Sequence, residues 1–171
     1  MNGYKKIAPE MIEGNVFEMI GNEWMLVTAS DSEGNYNTMT ASWGGMGVLW
    51  NKPVCFVFVR PQRHTFGFTE GGDRATLSFF RGDCKQALAY CGSKSGRDTD
   101  KVADTGLVPV TTDEGSVGFG QAKLIVSCRK LYSDKLKEAG FYDEEVREGC
   151  YPDRDYHMMY VYEVEGVYVK E

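Results

Sequence analysis

The sequence is poor in the residues from which metal sites and disulfide frameworks are built. Two histidines occur among 171 residues, and the five cysteines are an odd number without a CxxC pair. Scattered, odd-numbered thiols are typical of reduced cysteines, and two histidines cannot anchor a typical metal site without carboxylate ligands. We therefore predict no metal site and assign no chemistry to the cysteines, which are Cys55, Cys84, Cys91, Cys128 and Cys150.

Long hydrophobic runs and an excess of basic charge are missing as well. No segment approaches the length of a membrane span, and the N-terminal residues MNGYKKIAPEMIEG have no apolar core of the kind found in signal peptides. The formal net charge is −6, with 19 basic and 25 acidic residues, so a basic face for nucleic acid is not expected. These absences predict a cytoplasmic protein that binds neither membrane nor nucleic acid.

Apolar and aromatic residues are plentiful, at 42% and 13% of the chain. This composition and a length of 171 residues suit one compact core. No repeat, low-complexity tract or linker divides the chain. We predict a single domain over residues 1–171.

A period of two in the apolar residues predicts mainly β structure. The segment 30–37, dense in Asp, Ser, Gly and Asn, predicts an antiparallel hairpin. Many strands without βαβ spacing favour a closed barrel or a sandwich, because closure removes exposed edges. The predicted strands, all rich in β-branched or aromatic residues, are Val16–Ile20, Glu23–Ser30, Tyr36–Ser42, Val54–Arg60, Arg74–Phe80, Ala122–Leu131 and His157–Val169.

Helices are predicted to be few and short. Asp83 is a candidate N-cap and Gly92 a candidate stop signal for the first of them. The charged stretch before the last strand predicts a solvated helical excursion. The predicted helices are Gly82–Cys91, Asp98–Ala103, Ser133–Ala139 and Asp143–Glu148.

The segment TMTASWGGMG (38–47) combines hydroxyl groups with glycines. Strand alternation places Thr38, Thr40 and Ser42 on one face, where three hydroxyls can contact a polar ligand. The alternative is an ordinary solvent-facing strand. The glycines that follow Trp43 are interpreted as turn geometry with accessible amides, since this order is not the GxGxxG fingerprint of a Rossmann fold.

Two further segments carry groups that can bind an anion. RPQRHT (60–65) follows an apolar strand, and its two arginines can grip a phosphate; the alternative is a basic surface loop. GSKSGRDTDK (92–101) places Ser, Lys and Arg side chains beside a predicted helix start, although it is neither a Walker loop nor a nucleophile elbow. Its alternative is a polar connector. His157 opens the last strand, where it can orient a ligand.

These segments together resemble a known family. The resemblance is to the flavoredoxin branch of the flavin reductase-like family. The segments that carry it are NTMTASWGGMGVLWNKPVCFVFVRPQRHT (37–65), SGRDTDK (95–101) and DYHMMYV (155–161). The similarity runs from about Gly14 to Val169. It implies a mainly β fold, a six-stranded antiparallel Greek-key split β-barrel with short flanking helices. It also implies a homodimer that binds one FMN per subunit near the interface.

The resemblance assigns roles to the polar residues. It implies that Thr40, Ala41, Ser42 and Trp43 border the isoalloxazine ring, and that the 60–65 loop, through Arg60, Gln62, Arg63 and Thr65, holds the phosphate. Ser95, Gly96, Arg97 and Lys101 are implied as further phosphate or ribityl contacts. No side chain is expected to be a catalytic base, because the flavin carries the redox chemistry; Thr40, Ser42 and His157 are expected to position it.

Three functions are compatible with this pattern. The first is an oxidoreductase that passes electrons from NADH or NADPH through FMN to a small acceptor. The second is a flavoredoxin-type electron carrier that receives electrons from a protein partner, without efficient nicotinamide use. The third is a cofactor-free binding module. Where relatives place glycine in the last strand this chain has Tyr162, which we expect to narrow the ligand side or the dimer seam.

Overall fold

The structure is a computed structural model that describes residues 1–171 as ten strands and short helices. The strands are β1 (Tyr4–Ile7), β2 (Met25–Ser30), β3 (Tyr36–Ala41), β4 (Gly44–Leu49), β5 (Lys52–Val59), β6 (Arg74–Phe79), β7 (Pro109–Thr111), β8 (Val117–Phe119), β9 (Leu124–Lys135) and β10 (Met158–Lys170). The α-helices are α1 (Val16–Glu18), α2 (Thr65–Gly71), α3 (Lys85–Ser93), α4 (Lys101–Thr105) and α5 (Glu144–Cys150). A π-helix covers Met19–Glu23, and 3-10 turns cover Pro9–Met11, Gly82–Cys84 and Glu138–Gly140. No helix combines the length and apolar character needed to cross a membrane.

One large antiparallel sheet forms the body of the molecule. Its strand order is β3-β2-β6-β9-β10-β5-β4, and β1 adds to β10. A separate hairpin pairs β7 with β8. β3 and β4 lie at opposite ends of the order although only Ser42 and Trp43 separate them in the chain.

This short connection forces the sheet to curl. The chain from Ala41 to Gly44 reaches about 11 Å at most, whereas the outermost of seven flat, adjacent strands would lie about 29 Å apart. The two edges therefore meet at residues 41–44, which we call the seam. No backbone ladder joins β3 to β4 across it, so the predicted six-stranded barrel is corrected to a curled, open sheet of eight strands plus a hairpin.

The main core fills the inside of the curl. Met25 and Val27 of β2, Val57 of β5 and Tyr160 of β10 are fully buried there. A second, smaller core lies on the outer face, where Leu26 packs with Leu88 of α3 and their neighbours. Because successive residues of a strand point to opposite faces, β2 is buried on both sides, and α3 is seated against the outside of the sheet beside β3.

Six of the seven predicted strands are confirmed within a few residues of their ends. They are the strands predicted for 23–30, 36–42, 54–60, 74–80, 122–131 and 157–169. The prediction for Val16–Ile20 is wrong, because these residues form α1 and the start of the π-helix. The Asn15 side chain accepts a hydrogen bond from the Phe17 amide at 3.0 Å, which starts a helix. The sequence analysis did not predict β1, β7 and β8.

Three loop and helix predictions are also wrong. The glycines at 44–47 form strand β4, paired with Val54–Val57, rather than a turn. A Cβ atom at Gly44 would lie 2.9 Å from the Phe56 carbonyl oxygen, so glycine permits the close pairing. Residues 133–135 continue β9 instead of starting a helix, and the helix around Asp83 has no side-chain cap there. Asp100 and Asp143 do cap α4 and α5.

Gly72, which ends α2, provides a test of how closely this helix approaches β2. A Cβ atom at Gly72 would lie 1.8 Å from the Ser30 carbonyl oxygen, and that oxygen cannot move without disturbing the end of β2. We expect Gly72→Ala to lower the free energy of unfolding by about 3 kcal/mol, measured by urea denaturation. The matched control is Gly67→Ala in the same helix, where a Cβ atom meets nothing within 4 Å. Similar, small changes in both variants would contradict the close approach.

Candidate functional site

A cleft opens at the seam, where the ends of three strands meet. It has a volume of about 240 Å3 and is called the seam cleft below. Its apolar wall includes Phe58 of β5 and the half-exposed Trp43 of the connection. The full lining is Met39, Thr40, Ala41, Ser42, Trp43, Phe58, Arg60, Arg63 and His157.

A second cavity lies on the other half of β3. Its volume is about 530 Å3, and it is lined by residues 36–38 and 96–102. We call it the cationic cavity after Arg97 and Lys101, which line it together with the acidic residues Asp98 and Asp100. Since β3 contributes Thr38 to this cavity and Met39 to the seam cleft, the two spaces are neighbours along one strand.

Arg63 and Lys101 meet between the two cavities, at the C-terminal end of α3. The Arg63 guanidinium donates to the Gly92 carbonyl at 2.7 Å, and the Lys101 ammonium donates to the carbonyls of Cys91 and Thr38, each at 2.9 Å. Helix C-terminal carbonyls carry partial negative charge, so these cations stabilise the helix end. Burial, with a smaller contribution from Arg63, lowers the pKa of Lys101 to about 8.

Arg97 completes a group of three cations without a carboxylate partner. None of the ion pairs of the chain includes Arg63, Arg97 or Lys101. Arg97 donates to the Gln62 carbonyl at 3.3 Å. Desolvation and the charges of Arg97 and Lys101 lower the pKa of the nearby His64. Asp98 and Asp100 line the same cavity, so these cations have carboxylates near them but form no ion pair with them.

Gly96 allows the two anion-binding segments to approach each other. A Cβ atom at this position would lie 2.1 Å from Asn37 Oδ1 and 3.1 Å from His64 Cδ2. The 95–101 segment therefore packs directly against the loop that carries His64 and against β3. Asn37 in turn donates to the Thr65 hydroxyl at 2.7 Å, which ties the start of α2 to the same strand.

Arg60 differs from Arg63 because its charge is already paired. It forms an ion pair with Asp155, donates to the Cys150 carbonyl at 2.8 Å, and lies over the Tyr151 ring at 5.1 Å from the ring centroid. The hydrogen bond from Arg60 is the main reason that the pKa of Asp155 is lowered. Gln62 donates to the same carboxylate. This cluster fixes the segment that precedes β10.

His157 forms the floor of the seam cleft between aromatic rings. Its ring centroid lies 5.3 Å from that of Trp43 and 6.4 Å from that of Phe58. Tyr151 Oη lies 2.8 Å from His157 Nδ1. Burial, followed by the charge of Arg60, lowers the pKa of His157 to about 4, so the imidazole is neutral at pH 7.

The structure brings most of the predicted site residues together in these two cavities. The seam cleft is lined by Thr40, Ala41, Ser42, Trp43, Arg60, Arg63 and His157. The cationic cavity is lined by Gly96, Arg97 and Lys101.

Three predicted residues line neither cavity. Gln62 is bound to Asp155, Thr65 is buried against Asn37, and the Ser95 hydroxyl accepts from the Arg97 amide at 3.2 Å. Thr40 lines the cleft, but its hydroxyl donates to the Leu88 carbonyl of α3. Each of these groups already has a structural contact.

Tyr162 is placed differently from the sequence expectation. It is 1% exposed and lies in the main core beside Tyr160. It lines neither cavity, so the expected narrowing of the ligand side is wrong. The sequence analysis missed Phe58 as a cleft wall and Tyr151 as the contact of His157; no sequence pattern singles out Tyr151, which lies outside the strand.

Comparisons with known proteins agree with this architecture. The chain is similar to the flavoredoxin of Desulfovibrio vulgaris (Miyazaki F), with a TM-score of 0.69 and 18% identity over 96% of this chain and 78% of that one. It is similar to an FMN-binding domain of a flavin reductases-like enzyme from Shewanella baltica OS155, with a TM-score of 0.70 and 15% identity over 99% and 78%.

A third similar structure is the NADH:FAD oxidoreductase of Streptomyces globisporus C-1027, with a TM-score of 0.62 and 15% identity over 85% of this chain and 73% of that one. At these identities the likeness concerns the fold. No curated protein sequence matches the chain. A family model described as the flavin reductase like domain matches residues 18–171, and the chain therefore belongs to the flavin reductase-like family.

Proposed function

We propose that the chain binds FMN, with the phosphate in the cationic cavity and the flavin ring in the seam cleft. The observation that carries this proposal is the gathering of Arg63, Arg97 and Lys101, none of them ion-paired, beside a cleft with an aromatic wall. A buried ammonium whose pKa is lowered by desolvation gains stability when an anion approaches it. Similar solved structures carry the description flavoredoxin or FMN-binding domain, which supports the same ligand.

The shape and chemistry of the two cavities fit such a ligand. The cavities of about 530 and 240 Å3 together fall in the range of about 300–1,000 Å3 that is usual for small-molecule pockets. The wall formed by Met39, Trp43 and Phe58 suits an apolar ring, and the Ser42 hydroxyl suits its polar edge. Thr40 supports α3 instead, because its hydroxyl is bound to Leu88.

We propose oxidoreductase activity as the function, with NADH or NADPH as electron donor and a small molecule as acceptor. When bound, FMN supplies reversible hydride and electron transfer. Of the chain's own residues, Arg63, Arg97 and Lys101 would hold its phosphate, and Trp43, Phe58 and His157 would line the site of its ring. The likeness to an NADH:FAD oxidoreductase supports this choice.

An electron carrier of the flavoredoxin type is the second candidate, and one observation favours it. The seam cleft alone, at about 240 Å3, is smaller than the usual range for small-molecule pockets of about 300–1,000 Å3. A flavin ring would leave little enclosed room for a nicotinamide. In that case the electrons would come from a protein partner.

Anaerobic mixing of the FMN-loaded protein with NADH and with NADPH separates the two candidates. We expect bleaching of the flavin absorbance on the time scale of turnover, because the donor would reach the exposed ring face. Stopped-flow absorbance measures it. Inertness towards both nucleotides, with rapid bleaching by dithionite, would establish the carrier and reject the oxidoreductase. A protein that binds no FMN would reject both.

Arg97 provides the cleanest test of the phosphate site, because it is exposed and contacts only the Gln62 carbonyl and its own loop. We expect Arg97→Ala to weaken FMN binding about tenfold, as for the loss of one charged hydrogen bond of about 1.5 kcal/mol. Quenching of flavin fluorescence measures the affinity. Arg81→Ala is the matched control, since Arg81 is also exposed and without an ion pair but lines a different cavity. Equal affinities in both variants would remove Arg97 from the site.

We also propose that the chain forms a homodimer through β4 and its turn. β4 is an edge strand without a charged residue, which leaves its outer backbone groups ready for pairing. Exposed apolar side chains lie at the end of β4 and after it: Val48 and Trp50 are 76% and 55% exposed, and Tyr132, whose ring centroid lies 6.2 Å from that of Trp50, is 45% exposed. Exposed apolar side chains in a group of this kind are typical of an interface.

Sedimentation equilibrium tests the dimer. We expect the wild-type chain to show twice its own mass, and Trp50→Lys to shift the equilibrium to monomer, because a charge would then be buried in the interface. Val108→Lys, which alters an apolar residue of similar exposure next to β7, should leave the dimer intact. A monomeric wild type contradicts the proposal, as does a fully dimeric Trp50→Lys variant.

A further inference from the structure

We infer that Tyr151 holds His157 in a single neutral tautomer, with its proton on Nε2, so that His157 donates a hydrogen bond to a carbonyl oxygen of the ligand in the seam cleft. The tautomer is a property of the chain alone. The contact with a ligand rests on the proposed function. Tyr151 is thus a positioning residue that acts through His157.

The contact between the two side chains is short and enclosed. Tyr151 Oη lies 2.8 Å from His157 Nδ1, and the two residues are 6% and 7% exposed. Their rings cross nearly at right angles, at 82°. The Tyr151 ring is held in turn by Phe141, by Tyr156 and by the Arg60 guanidinium, which lies over it. Neither ring is free to turn away from the other.

The number of protons available decides the direction of this hydrogen bond. If the phenol donates to Nδ1, the imidazole proton resides on Nε2, and both buried groups are satisfied. If Nδ1 donates instead, the phenolic hydrogen needs another acceptor, and Tyr151 Oη makes no other hydrogen bond in the chain. A buried donor left unpaired costs about 1–3 kcal/mol. The first arrangement is therefore favoured.

Burial is the main reason that both residues of the pair are neutral; the charge of Arg60 lowers the pKa of both, which favours the neutral form of His157 and opposes that of Tyr151. Arg60 packs on Tyr151 and lines the cleft with His157, and its charge opposes a second cation there. Asp155 lies two residues before His157, and its Oδ2 atom is engaged by Arg60 and Gln62, whereas its buried Oδ1 atom has no hydrogen-bond partner. Burial raises the pKa of Tyr151 and lowers that of His157. Neither group ionises around pH 7.

The position of the ring relative to the cleft tells which atom meets a ligand. His157 lines the seam cleft and Tyr151 does not. Because Nδ1 is turned towards Tyr151, the opposite edge of the imidazole, which carries Nε2, faces the cleft. A neutral N–H donor of this kind suits a carbonyl oxygen, such as that of a flavin ring, a carboxamide or an unsaturated ketone, and it gives no charge to attract a carboxylate.

Imidazole 1H–15N correlation spectra of the ligand-free protein at pH 7 test the tautomer. The chain has only two histidines, so a His157→Gln variant assigns the signals. We expect one neutral His157 species protonated on Nε2 in the wild type, and a mixture of tautomers in Tyr151→Phe. Tyr156→Phe, in the same aromatic cluster, should retain the wild-type pattern. A wild-type Nδ1–H tautomer, an imidazolium, or a Tyr151→Phe spectrum identical to wild type would overturn the inference.

Addition of FMN to the wild type tests the contact with a ligand. We expect the His157 Nε2–H signal to move and its exchange with water to slow when FMN binds. If FMN binds but leaves this signal unchanged, the ligand contact is wrong although the proposed function survives. If FMN does not bind, the proposed function fails, whereas the tautomer is decided by the ligand-free spectra.

Discussion

The two-residue connection between β3 and β4 is the constraint on which the rest of the structure depends. Ser42 and Trp43 join strands that hydrogen bonding places at opposite edges of the sheet, so the sheet must curl until its edges meet. The curl creates an inside for the main core. It also brings the end of β3, the end of β5 and the start of β10 to one place, and the seam cleft is the space that remains between them.

Two cations of the candidate site, Arg63 and Lys101, hold parts of the fold together whether or not a ligand is bound. Arg63 and Lys101 both satisfy carbonyls at the end of α3, and Lys101 also joins that helix to β3. Each such contact with a helix C-terminus contributes about 0.3–1 kcal/mol. These carbonyl contacts explain how Arg63 and Lys101 stay partly buried without forming an ion pair. They also mean that a substitution of Arg63 or Lys101 disturbs the packing of α3 together with any anion site.

Sequence reasoning succeeded where one physical effect dominates. Runs of apolar, β-branched and aromatic residues predicted β2, β5, β6 and β10, although β2 and β6 are buried on both faces and show no alternation in burial. It failed at Val16–Ile20, where Asn15 supplies a helix cap, and at Gly44–Gly47, where glycines permit strand pairing close to Phe56.

The family resemblance identified the segments of the candidate site, and the structure brought ten of the thirteen predicted residues to the two cavities. The remaining contacts depend on residues far apart in the chain. The pairing of Arg60 with Asp155 is one example, and the engagement of Gln62 by the same carboxylate is another. Nothing local in the sequence shows that these side chains are already bound to each other. Only the folded geometry distinguishes Arg60, whose charge is neutralised, from Arg63 and Arg97.

The seam has a mechanical consequence of its own. Because the chain crosses it but no hydrogen-bonded ladder does, the cleft can widen without breaking a single pair of backbone hydrogen bonds. Side chains close the seam instead: the Met25 methyl group lies so near Gly44 that a Cβ atom there would be 3.1 Å from it. The sheet therefore has a continuously hydrogen-bonded back, made of β2, β6, β9 and β10, and an opening at the seam that no backbone ladder closes.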